Sequence, residues 1–144
     1  MRTTLKIAAA GLAAVLLAGT APSFADTIKI GVAQPLSGPL GALGQDLLNG
    51  VNLAVAELNK GGYTVDGKRV TLEVVAVDDK ADAATGKTVA QQLVDAGVVA
   101  VIGHLNSGVS IETAPIYAAK DIAQIAISTN PKFTQLGFST TFRM

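Results

Sequence analysis

Four hydroxyl side chains and three carboxylates stand where this chain could hold a ligand. The stretch VIGHLNSGVS, residues 101–110, carries a run of apolar β-formers into Gly103, His104, Asn106, Ser107 and Ser110. A second apolar run, IAQIAIS, leads into Ser128 and Thr129. A third, VTLEVVAVDD, ends in Asp78 and Asp79, with Asp82 close behind. Hydroxyls beside the free N–H groups of a helix start suit an anion, and a carboxylate in particular. Serine at a helix start is equally an ordinary cap. Asp78, Asp79 and Asp82 could hold a hard cation, but carboxylates in a helix-entry loop more often cap the helix and complement its dipole.

Enzymatic chemistry has little to work with. Nucleophilic hydrolysis wants a G-x-S-x-G elbow and a histidine base. No such elbow occurs, and His104 is the single histidine. Gly38, Gly41 and Gly44 follow the first apolar run at G-x-x-G-x-x-G, which is not the dinucleotide spacing. A Walker A loop is absent. A phospho-receiver domain would put its acidic pair after the first strand and an aspartate after the third, whereas here the pair follows the second and the third ends in Gly103-His104. With no cysteine there is no thiol catalysis and no thiolate metal site. Lys and Arg number 11, as do Asp and Glu, so the basic excess of a nucleic-acid binder is missing.

The elements that must position these residues can be read from periodicity. Thr27 to Ala33 predict a strand buried on both faces. Leu47, Leu48, Val51, Ala54, Val55 and Leu58 then fall on one helical face, with Gly61-Gly62 as the stop. Asp66-Gly67 is a hairpin turn signal. A second long strand ends at Asp78-Asp79, and a helix from about Asp82 to Ala96 turns Val89, Ala90 and Leu93 inward. VVAVIG is a third long strand. Ser107 or Ser110 starts the next helix; Pro115 is best tolerated near a helix start, which favours Ser110, with 107–109 as its entry. IAQIAIS is a further strand, NPKFTQLG a turn and short helix, and TTFRM the start of another strand. Strands alternating with helices at this spacing predict an α/β fold, a doubly wound parallel sheet. Ligands bind such sheets beyond the carboxyl ends of the strands, where all the residues above lie.

The first 25 residues, MRTTLKIAAAGLAAVLLAGTAPSFA, predict a secretory signal peptide. Arg2 and Lys6 are the positive region, Ile7 to Ala18 the apolar region, and Ser23-Phe24-Ala25 the cleavage site. The apolar run is short for a membrane anchor. This segment inflates the hydrophobic fraction of 49%. Residues 26–144 are enough for one small domain, whose stability must come from its core without disulfides.

The stretches IKIGVAQPLSGPLGALGQDLLNGVNLAVAELN, LEVVAVDD, VVAVIGHLNSGVS and STNPKFTQLGF together resemble the periplasmic branched-chain amino-acid-binding proteins, the leucine, isoleucine and valine receptors of ABC importers. The resemblance implies a type I periplasmic-binding fold of two α/β lobes that close on the ligand. Residues 26–144 would be the N-terminal part of lobe 1, with the second lobe absent, so the chain by itself is expected to bind weakly or not at all. It also implies ligand-binding roles for Ser107 on the carboxylate, for Thr129 on the ammonium and carboxylate, and for Ser128 through its backbone. Leu43 matches the place where some members pack an aromatic on the ligand side chain. Some members carry a disulfide between positions matching Ala81 and Asn106, which this chain lacks. His104 is expected to be structural, and Tyr117 and Phe133 core or surface. Implied partners are a free amino acid and the membrane permease subunits. No cofactor, metal or nucleic acid is expected, and the complete receptor would be a periplasmic monomer. Relatives that bind urea, amides or aromatic acids leave the ligand open. A sensor or partner-binding lobe, or a fragment of an exported enzyme, are the other readings.

Overall fold

The computed structural model describes residues 26–144; the signal-peptide expectation for 1–25 lies outside them. The elements are β1 (Asp26–Gln34), α1 (Gly41–Gly61), β2 (Thr64–Val65), β3 (Lys68–Asp78), α2 (Ala83–Asp95), β4 (Ala100–Gly103), α3 (Ser107–Ala118), β5 (Ala123–Ala126) and β6 (Thr141–Arg143). Short 3-10 turns at Gly38–Leu40 and Pro131–Gln135 precede α1 and β6. The strands form one sheet in the order β2-β3-β1-β4-β5-β6. Among the described residues only the β2–β3 hairpin is antiparallel. Its turn is the expected Asp66-Gly67, with φ of 51° and 75°, the left-handed pair that a two-residue hairpin needs.

Parallel strands are joined by right-handed crossovers. From β1 the chain passes through α1 to β3 on one side, then through α2 back across to β4 and through α3 onward to β5. Opposite directions of travel with one hand put α1 on one face and α2 with α3 on the other. The α2/α3 face is closed. Ala33 and Val101 pack there against Ala90, Leu93 and Tyr117, all fully buried, and Ala114, Ala126 and Phe133 form a second cluster. Gly62 (φ 79°) ends α1, as its place in the sequence implies.

The α1 face is different. Leu47 and Val51 of α1, with Ile30, Ile102, Ile125 and Ile127 of the sheet side, line an apolar groove of about 470 Å³. No crossover among the described residues travels in the direction that would cover β4 and β5 on this side. The expected inward face of α1 is therefore only partly covered: Leu48 is buried, but Leu58 is 44% exposed. Likewise β1 is fully buried only from Gly31 to Gln34, not throughout as its composition suggests. None of the helices among the described residues is long and apolar enough to cross a membrane.

Helix α3 begins at Ser107, three residues earlier than the position of Pro115 suggests. Pro115 sits in its last turn, where a single helical bond is forfeited. Burial of Val109, Ser110, Thr113, Ala114 and Tyr117 along the helix offsets that loss.

Two glycines of α1 should respond oppositely to alanine. A Cβ at Gly44 would collide with the Pro35 carbonyl oxygen, whereas one at Gly50 meets nothing within 4 Å. Gly44→Ala is expected to cost roughly 1–3 kcal/mol by overpacking. Gly50→Ala should gain up to about 1 kcal/mol from helix propensity. Urea denaturation of residues 26–144 measures both.

Candidate functional site

The carboxyl ends of β1, β3, β4 and β5 make one rim, and register sets its layout. Ala33 pairs with Val77 on one side and with Gly103 on the other. Asp78, Asp79 and His104 therefore flank the end of β1.

Each carboxylate of the β3–α2 turn is already engaged. Asp82 caps α2, accepting from Thr85 N (2.7 Å) and Thr85 Oγ1 (2.8 Å), and these bonds hold its carboxyl below the ordinary range. Asp78 and Asp79 do not cap. Asp78 accepts from Leu36 N (2.8 Å), Ser37 Oγ (2.6 Å) and Lys80 N (2.9 Å), tying the β1–α1 loop to the end of β3. Desolvation pushes its carboxyl upward, but the bonds from Ser37, Lys80 and Leu36 outweigh it and hold the group below its usual value. Asp79 is fully buried. It accepts from Ala81 N (2.9 Å) and lies 2.6 Å from His104 Nδ1.

His104 is as structural as the sequence suggests, but its partners were not legible. Its ring is fully buried, with Nε2 3.2 Å from the Tyr117 hydroxyl. Burial first, and the Asp79 charge second, push that hydroxyl far above its ordinary pKa, so Tyr117 stays neutral. Gly103 enters this turn at φ 146°, and a Cβ there would collide with the Ala33 carbonyl oxygen. Only glycine lets the strand end pass so close to β1.

The hydroxyls divide into two groups. Ser110 is buried and spends its Oγ on the carbonyls of His104 (3.0 Å) and Asn106 (3.1 Å), so it supports the turn and is not a free group on the rim. Ser107 is the first residue of α3 and partly buried. Its Oγ accepts from Asn130 N at 3.3 Å, which brings the loop after β4 against the loop after β5. Ser128 is buried, with Oγ 3.4 Å from the Asn130 carbonyl, while Thr129 beside it is exposed. Leu43 lies in the first turn of α1 and is 57% exposed.

The start of α3 has no side-chain cap. Asn106 occupies the cap position without bonding the helix N–H groups, and its buried Oδ1 has no partner. Ser110 N closes the first turn on Asn106 O at 2.9 Å, and the N–H groups before it have no acceptor within the helix. The positive helix end, the Ser107 hydroxyl and the exposed Thr129 thus face the same rim, an arrangement able to receive an anion. Among the described residues no group of three or more His, Cys, Asp or Glu is placed to hold a metal ion.

Comparison with known proteins fits this layout. Residues 27–144 match the family described as periplasmic binding protein. A Leu/Ile/Val-binding protein homolog of Brucella abortus is 48% identical over 133 residues, covering 91% of this chain and 34% of its own length. Among solved structures, a branched-chain amino acid transporter substrate-binding protein of Streptococcus pneumoniae in complex with isoleucine superposes with TM-score 0.73 at 33% identity, over 82% of this chain and 33% of that one. A solute-binding protein of an ABC transporter from Rhodopseudomonas palustris, in complex with 3,4-dihydroxybenzoic acid, superposes with TM-score 0.69 at 27% identity, over 82% and 31% of the two chains. The chain spans about a third of the length of these relatives.

The Asp78 contacts carry a pH signature. A carboxyl depressed in the folded state adds stability above its unfolded value of about 3.9, and that stability is lost as pH falls through the folded value. Asp78→Asn should lower stability at neutral pH and flatten the decline below about pH 4. Urea midpoints measured from pH 7 down to pH 3 check this; parallel curves for the two proteins would contradict it.

Proposed function

The chain belongs to the periplasmic binding protein family, and from that premise we propose that residues 26–144 form part of the first lobe of an exported receptor for branched-chain amino acids. The receptor captures free leucine, isoleucine or valine and hands it to an ABC-type membrane permease. Residues 1–25 direct export and are removed after Ala25. The role is binding, not catalysis. The carboxyl rim of the sheet takes the ligand carboxylate, with Ser107 donating its hydroxyl together with the first-turn N–H groups of α3. Thr129 contacts the ammonium and carboxylate, the backbone at Ser128 adds a contact, and Leu43 lies toward the ligand side chain.

The observation that carries this reading is the convergence of Ser107 with the 128–130 loop at an uncapped helix start. The resemblance of the whole region to Leu/Ile/Val-binding proteins supports the choice of ligand. In a complete receptor a second lobe closes over the ammonium and side chain, so residues 26–144 alone bind weakly. A second reading keeps the carboxylate and changes the rest: the neighbour in complex with 3,4-dihydroxybenzoic acid favours an aromatic acid.

Titrations followed by the backbone amide signals of residues 26–144 separate these. L-Leucine should shift Ser107 and Thr129, and leucinol, which lacks the carboxylate, should not. Ser107→Ala should weaken the response by about 1–3 kcal/mol, the worth of a hydrogen bond to a charged acceptor. A stronger response to 3,4-dihydroxybenzoate than to leucine would favour the second reading. Equal shifts with leucinol would contradict both.

A further inference from the structure

We propose that His104 is the positioning residue of this rim: its Nδ1–H, donated to the buried Asp79 carboxylate, fixes the 104–107 loop to the end of β3 and so sets where Ser107 lies. The assignment of Ser107 to the ligand rests on the function proposed above; the positioning itself rests on geometry alone. A carboxylate only accepts, so the tautomer that makes this 2.6 Å contact a hydrogen bond to Asp79 is the one that carries its proton on Nδ1.

His104 is also held at Nε2 and at its carbonyl. Nε2 meets the Tyr117 hydroxyl in the last turn of α3, and the His104 carbonyl accepts from Ser110 in the first turn. One residue thereby grips both ends of α3. Asp79 is itself anchored: its N–H donates to Gln34 O at 3.0 Å and its second oxygen accepts from Ala81 N. The chain of contacts runs from β1 through Asp79 and His104 to the turn before Ser107, and every link is buried. The titratable groups facing the ring are Asp79 from the β3–α2 turn and Tyr117 from α3. Moving Ser107 relative to the sheet requires breaking the Asp79 link or leaving that carboxylate unpaired in the interior, which is costly.

Hydrogen exchange of residues 26–144 tests this with His104→Leu, which fills the space without a donor, and His104→Asn, whose amide N–H can replace Nδ1–H. The Leu variant should speed exchange of amides 105–109 by about tenfold more than that of β1 amides 31–33, and weaken the leucine response at Ser107 by about tenfold, one hydrogen bond's worth. The Asn variant should restore both. A general loss of structure would speed loop and strand together, and that result, or no rescue by Asn, overturns the proposal. In the parent protein an Nδ1–H proton signal coupled to the His104 ring is expected, and a bare Nδ1 overturns the proposal without any variant. If the parent shows no leucine response at Ser107, the functional reading fails, while the exchange pattern and the Nδ1–H signal still decide the positioning role.

Discussion

Right-handed crossover between parallel strands is the constraint from which the rest of the molecule follows. Because β3 and β4 lie on opposite sides of β1, the chain must travel left once, from β1 to β3, and then right three times, to β4, β5 and β6. A fixed hand then assigns α1 to one face and α2 and α3 to the other. The same reversal of direction opens the sheet at the end of β1, where the loops after β1 and β4 part to opposite faces. The polar rim and the uncovered apolar groove beside α1 are two results of one topological choice.

What fills the rim is a band of buried polar groups, costly to bury unless paired. Asp79 with His104, Ser110 with the His104 carbonyl, and Gln124 with Ser110 O and Thr113 Oγ1 at 3.3 and 3.1 Å form a nearly continuous set. Directional bonds of this kind fix geometry more sharply than apolar contacts do. A carboxylate site needs that: one hydroxyl and a few N–H groups recognise an anion only if they point at the same place. The buried band holds the loops and leaves the partly buried Ser107 and the exposed Thr129 at the rim.

Much of this was legible in the sequence. The alternation of elements, the Asp66-Gly67 turn, the Asp82 cap and the inward Val89, Ala90 and Leu93 follow from local spacing, and the structure has them all. Ser107 and Thr129 fall at strand ends, and the fold brings their loops together. Three features were not legible. The pairing of Asp79 with His104 joins residues 25 positions apart, and only the register of two strands against β1 brings them together. The early start of α3 reflects tertiary burial overriding the local preference of Pro115. The open face of α1 depends on strand order, which no single window of sequence contains. Ser110 looked like a rim residue because its type and place suited the role, yet its hydroxyl is turned inward to support the turn.

The direct test of the carboxylate assignment is a crystal structure of residues 26–144 grown with L-leucine at high concentration. The expected result is a leucine carboxylate oxygen within about 3 Å of Ser107 Oγ, with the first-turn N–H groups of α3 completing its hydrogen bonds. Leucine lodged in the apolar groove beside α1, with no ligand at the start of α3, would contradict it.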